Sequence, residues 1–285
     1  TAHVCGSVLR SVMAFGGEGL PVSGITPLWL KAYEGYLLHK GGKGLAWNTV
    51  STYMRMLQAV YNRAVVRKLA AFIPHQFRDV FTGRKADHRR VLERDDMQKL
   101  LVERDPDITS PGMAWARACL ELMFRFHGMP FVDLAHLRKS DLKDGYLTLR
   151  RRKTGMPLSA RVDGRAMQLL ERYRNRDDTS PYLLCFLDGN LEGMAAYRDY
   201  QRILRLLNSR LRVLALWKKV QGKVTSYSAR HTWATVGRYC HIPIEVISEG
   251  LGHASVTTTE GYMKGFGNSR MDRANKVIMN YIFKG

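Results

Sequence analysis

Apolar positions recur at helical spacing over most of the chain and alternate in one short stretch. Over residues 48–68, Val50, Tyr53, Met54, Leu57, Val60, Tyr61, Ala64 and Val65 fall close to the helical period, which predicts a long amphipathic helix with Asn48 as its cap. Asn48, Ser51, Thr52, Arg55 and Asn62 lie largely off that stripe, a polar face that suits either a solvated surface or phosphate contact. Ahead of it, residues 8–15 form a short apolar run. Thr26-Pro27 joins a capping side chain to a proline at the first helical position and opens a helix through about His39. Gly41, Gly42 and Gly44 break the chain between the two longer helices.

The pattern changes after residue 91. A helix is expected from about Asp95 to Glu103, and Ser110-Pro111 opens another to about Phe126, stopped by Gly128. Leu147 and Leu149 then alternate with Thr148 and Arg150, so residues 146–152 and 156–162 read as two strands turning at Lys153-Thr154-Gly155. Helices follow over about 166–174, 196–214 and 230–239. Residues 182–187 are an apolar run that fits either type. A run from Ile242-Pro243 ends at Leu251-Gly252, and Ser255 can cap a short helix leading to Tyr262. A final helix is expected over 269–281. The fold class is therefore mainly α with a small antiparallel β-sheet. Three segments are expected: a helical domain over 1–81, a polar and basic linker over 82–90, and a second domain over 91–285.

Charge narrows the partners. The chain of 285 residues carries a formal net charge of +20. The first 90 residues hold 13 Lys and Arg against 4 Asp and Glu, or +9, leaving +11 for the rest. A positive field on both halves points to a polyanion, of which nucleic acid is the usual one. Cys5, Cys119, Cys185 and Cys240 are widely spaced, which argues against a zinc site and fits a reducing, cytoplasmic setting. No stretch is long and apolar enough to span a bilayer, so no membrane partner is expected. No carboxylate cluster suggests a metal.

The chemistry gathers in the last third. Arg230 begins an amphipathic run, His253 follows Leu251-Gly252, and Tyr262 lies nine residues further on. Arginine matches the charge that builds on the non-bridging oxygens of an attacked phosphodiester. A tyrosine can attack phosphorus, hold the strand as an ester and later leave, with no cofactor needed. A positioned lysine can give a proton to the departing 5′ oxygen. Taken singly, each group also has an ordinary reading as a surface charge, a loop histidine and a core aromatic.

Taken together, Ala229-Arg230-His231-Thr232-Trp233-Ala234-Thr235, Leu251-Gly252-His253 and Thr258-Thr259-Glu260-Gly261-Tyr262 resemble the catalytic blocks of the tyrosine recombinases, the phage-integrase family. The resemblance implies Tyr262 as nucleophile, Arg230 as a phosphate clamp and His253 as its neighbour on the scissile phosphate. Lys153, on the hairpin where such enzymes carry their lysine, is the expected proton donor. Asn48-Thr49 and Tyr53-Met54-Arg55 resemble the family's SAM-like core-binding bundle, which precedes an α+β catalytic domain. Asn48, Ser51 and Arg55, with Arg84 and Lys85 on the linker and Arg151 and Arg152 on the hairpin, are the expected DNA contacts. The implied partner is double-stranded DNA, bound by a tetramer on two synapsed sites, with a monomer expected in the absence of DNA. The helix over 269–281 is expected to dock on a neighbour or to pack on its own domain. The chain starts at Thr1 without methionine, and members of the family often carry an arm-binding domain ahead of the bundle, so whether one precedes it here is left open.

Two departures stand out. The family pattern Gly-Leu-Arg-x-x-Glu-Leu appears as Gly128-Met129-Pro130-Phe131-Val132-Asp133-Leu134, with proline in place of the first clamping arginine. Some integrases of conjugative elements read Gly-Met-x-Phe-Val-Asp in the same way. Arg125, then His127 and Arg138, are the candidates to replace the lost cation. Tyr227 stands where a histidine is usual, one turn before Arg230, where its phenol can reach a phosphate oxygen or simply pack. The rival functions are a non-catalytic DNA-binding protein of this fold and a type IB topoisomerase-like enzyme.

Overall fold

The computed structural model describes residues 2–85, 91–101, 110–253, 255–260 and 275. Tyr262, the helix expected over 269–281 and linker residues 86–90 lie outside these. The chain divides into two compact units, Thr1–Ala86 and Asp87–Gly285.

The first unit is a bundle of α1 (Ala2–Gly16), α2 (Pro27–His39) and α3 (Trp47–Val66). Thr26 caps α2, its Oγ1 accepting the Trp29 amide at 3.2 Å. Val8 of α1, Leu30, Tyr33 and Leu37 of α2, and Val50, Met54, Leu57 and Tyr61 of α3 form the core with Phe77 and Val80. Each large apolar side chain buried there contributes about 1.5–3 kcal/mol relative to exposure. Asn48 does not cap α3, because Ala46 holds that position. The Asn48 amide is used elsewhere: Nδ2 donates to Lys85 O and Oδ1 accepts from Lys85 N, both at 2.8 Å. Ser51 is buried and donates through Oγ to Gly83 O at 2.6 Å. Residues 83–85 therefore fold back along α3 as part of the first unit, where a linker was expected. The buried Glu34 carboxylate fastens the same segment by accepting the Phe81 amide at 2.7 Å.

In the second unit, α5 (Pro111–Arg125) runs through the core and packs on α4 (Arg94–Leu101), α7 (Gly164–Arg172), α8 (Gly193–Trp217) and α9 (Ser228–Tyr239). The sheet has the order β1-β2-β3, with β1 (Leu142–Lys143), β2 (Tyr146–Arg150) and β3 (Pro157–Arg161) all antiparallel. Leu147 pairs with Ala160 and Leu149 with Leu158, so these residues share the inward face. The two-residue β1 carries too little alternation to have been read from sequence. Residues 182–187 belong to neither a helix nor the sheet. Their apolar side chains fill the core while single bridges join Arg138 to Tyr182 and Arg174 to Leu184. Short helices α6 (Phe131–Ala135), α10 (Ile244–Gly250) and α11 (Val256–Glu260) frame the region of interest. Pro243 is the N-cap of α10 rather than its first helical residue.

Candidate active site

Arg230 is 1% exposed on the inner face of α9. Its Nη1 donates to Gly128 O at 3.0 Å and its Nη2 to Leu251 O at 2.6 Å. Nη2 also lies 2.7 Å from His253 Nε2. These three acceptors are neutral, so they fix the plane of the guanidinium without discharging it. The approach is close enough to demand glycine: Gly128 has φ +67°, and a Cβ there would lie 2.9 Å from Arg230 Cα.

A guanidinium only donates, so His253 Nε2 must present its lone pair and the ring proton must sit on Nδ1. That proton points to Thr259 Oγ1 of α11, 2.8 Å away. Burial, then the charges of Arg230, Arg151 and Lys153, push the His253 pKa down to about 3. The imidazole is therefore neutral at physiological pH and acts as an acceptor towards Arg230.

A second guanidinium comes from the hairpin. Arg151 was expected at the DNA surface, but it is 6% exposed. Its Nη1 donates to Leu251 O at 2.6 Å and Gly252 O at 2.9 Å, and its Nε pairs with Asp133 Oδ2 at 3.3 Å. None of these bonds uses Nη2. Asp133 Oδ1 also accepts the Arg152 amide at 3.0 Å, so this carboxylate ties α6 to the start of the hairpin turn. Leu251 O thus receives one donor from each of the two arginines. The burial of Arg151 follows from strand alternation, since residue 151 continues the inward series of Leu147 and Leu149. That signal was present in the sequence.

Lys153 is exposed at the tip of the turn, which closes through Gly155 N to Arg151 O at 2.8 Å. Its charge is the last of those that lower the His253 pKa. Two of the expected substitutes for a cation at Pro130 are otherwise engaged. Arg125 pairs with Glu121 at 3.0 Å and Asp163 at 2.6 Å. His127 packs on Trp233 and burial lowers its pKa. Arg138 is exposed beside a short 3-10 turn, its main chain in a β-bridge with Tyr182. Pro130 itself is the N-cap of α6. Tyr227 is 38% exposed just ahead of α9 and lines, with Pro130 and Tyr200, a cavity of about 220 Å³.

Among the other expected DNA contacts, Arg55, Arg84 and Arg152 are exposed. The Lys85 ammonium sits 4.3 Å from the Trp47 ring centre. Asn48 and Ser51 are committed to the backbone of residues 83–85, and Ser51 has no surface to offer DNA.

Two ordered guanidiniums thus lie beside a neutral histidine, with an ammonium on the adjoining turn, a donor set of the kind that suits an oxyanion. Comparison with known proteins identifies the family. The model of the Phage integrase family matches residues 90–266, and that of the Phage integrase SAM-like domain matches residues 1–78. The chain belongs to the phage integrase family of tyrosine recombinases. It is similar to tyrosine recombinase XerA of Pyrococcus furiosus, 29% identical over 140 residues, a match spanning 48% of this chain and 46% of that protein. The chain thus aligns with about half the length of that relative. In fold it is similar to the lambda integrase dimer bound to a COC′ core site, with a TM-score of 0.67, 16% identity, and 94% of this chain and 89% of that one covered. It is also similar to the Tn1549 transposon integrase in complex with transposon right end DNA, with a TM-score of 0.69, 14% identity, and 100% and 93% covered.

Proposed function

We propose that this chain is a site-specific DNA recombinase that cuts and rejoins strands through a 3′-phosphotyrosine. The observation that carries the reading is the pair of buried Arg230 and half-buried His253, the arginine oriented by main-chain carbonyls and bracketed by Arg151. In this reading the Tyr262 phenol gives its proton to solvent water and attacks phosphorus. The Tyr262 Oη–P bond forms, the P–O5′ bond breaks, and Lys153 gives its proton to the departing 5′ oxygen. The reverse steps on a second strand rejoin the DNA, so bond energy is conserved and no cofactor is consumed.

Arg230 and Arg151 take the charge of the equatorial oxygens. Arg151, entering from the hairpin through its Nη2, takes over the part that Pro130 cannot play. His253 holds the Arg230 guanidinium and leaves proton delivery to Lys153. The partner is duplex DNA, met by the exposed cations Arg55, Arg84 and Arg152 of a strongly basic chain. The lambda integrase relative is a dimer on its core site, and the same logic supports several copies of this chain on paired sites, four at synapsis.

The test is incubation with a nicked suicide substrate carrying the cognate site. The parent chain forms a covalent adduct and Tyr262→Phe binds DNA without forming one. An adduct that persists in Tyr262→Phe refutes the assignment. DNA binding with no adduct from the parent chain refutes the enzyme.

A further inference from the structure

Thr259 stands outside every role assigned so far. It is fully buried on the five-residue α11, and its Oγ1 is 2.8 Å from His253 Nδ1. His253 Nε2 is in turn 2.7 Å from Arg230 Nη2. Thr259, His253 and Arg230 therefore form one directed chain of hydrogen bonds. Its polarity is fixed at the arginine end: the guanidinium donates, the imidazole accepts at Nε2, and the Nδ1 proton goes to the threonine hydroxyl.

Thr259 is also three positions before Tyr262 in the sequence. The hydroxyl that holds the histidine tautomer thus belongs to the segment leading to the nucleophile.

We propose that Thr259 is a positioning residue that makes the Arg230 clamp conditional on the seating of α11; this rests on the recombinase reading above. When α11 is seated, the Nδ1 proton has its acceptor and Nε2 is held bare for Arg230. When α11 leaves, the Nδ1 proton loses that partner and the other tautomer becomes accessible. In that tautomer Nε2 carries hydrogen and faces an arginine donor, so the contact is lost. Cutting competence would then be coupled to the presence of the nucleophile's own segment, and a site without it would have a loosened clamp.

Two substitutions separate this role from packing. Thr259→Val keeps the side-chain shape and removes the hydroxyl, whereas Thr259→Ser keeps the hydroxyl and removes the methyl group. Imidazole nitrogens are observed by NMR in the full ¹⁵N-labelled chain without DNA, with His253 assigned by its loss in His253→Gln. The parent and Thr259→Ser should show a protonated Nδ1 and a bare Nε2, and Thr259→Val should show both tautomers. In suicide-substrate cleavage at saturating DNA, Thr259→Val should be slower by roughly tenfold or more, equivalent to about 1.4 kcal/mol, with unchanged DNA affinity. Thr259→Ser should cleave like the parent.

An unaltered His253 spectrum in Thr259→Val overturns the proposal, as does cleavage in which the serine variant is the slower of the two. If the parent itself makes no adduct, the recombinase reading fails while the imidazole spectrum still decides what Thr259 does.

Discussion

Replacing Arg151 with methionine tests how the hairpin, α6 and the Leu251-Gly252 turn are joined. Asp133 is 2% exposed, and the Arg151 guanidinium and the Arg152 amide are its described partners. Methionine fills much of the same space and removes the charge. It leaves a buried carboxylate with one amide donor, and two main-chain carbonyls without their Arg151 donor. Removing one member of a buried pair costs about 3–5 kcal/mol, mostly through the charge left behind. At a slope near 2 kcal/mol/M, the urea midpoint should fall by about 2 M with the slope unchanged. Asp133→Asn on its own should also destabilise. The double variant Arg151→Met with Asp133→Asn should lose about 2 kcal/mol less than the sum of the two single changes, because no unpaired charge remains. Additivity within about 0.5 kcal/mol would mean the two groups do not act as a pair. A single Arg151→Met loss below about 1 kcal/mol would remove the case for a buried strut altogether.

Gly128→Ala should impair the site more than an ordinary Gly-to-Ala change, since residue 128 has φ +67° and the new Cβ would meet Arg230 Cα at 2.9 Å. A stability loss of about 1–3 kcal/mol in urea unfolding, with slower adduct formation, is expected. The depressed His253 pKa of about 3 gives a pH signature. The unfolded histidine titrates near 6.5, so below that pH the unfolded state takes up a proton that the folded site refuses. This contribution to stability is whole above about pH 6.5 and is lost as pH falls towards 3. His253→Gln should flatten that part of the stability profile in urea midpoints measured across the range, and an unchanged slope would contradict it.

Helical spacing and capping residues made most of the fold legible. Thr26-Pro27 and Ser110-Pro111 opened helices where expected, and the alternation of Leu147 and Leu149 located the hairpin. Asn48 misled because a side chain suited to a cap is equally suited to any nearby amide, and the amide it holds is Lys85. Arg230 and His253, named from their motifs, lie together in the structure, while the partners that orient Arg230 carry no motif. Gly128, Leu251 and Gly252 act through carbonyl oxygens, which carry no signature in side-chain identity. Arg125 looked available because it comes just before Gly128 and is permanently charged; its two carboxylates, Glu121 and Asp163, are 4 and 38 positions away. Arg151 was seen as one of three adjacent basic residues, and only its inward register sets it apart.

The use of main-chain oxygens to hold both arginines bears on how this site tolerates mutation. A side-chain acceptor is lost with one codon change, but a carbonyl is supplied by whatever residue occupies the position. Substitutions at Leu251 that preserve its packing would leave both guanidiniums on the same oxygen. The fragility moves instead to Gly128 and Gly252, both at positive φ: a Cβ at Gly128 would meet the Arg230 backbone, and at Gly252 it would lie 2.6 Å from Arg151 Cδ and displace that side chain. Drift in this lineage should therefore be free at Leu251, whose oxygen meets both charges, and closed at Gly128 and Gly252, which hold one charge each and must also let the chain come near.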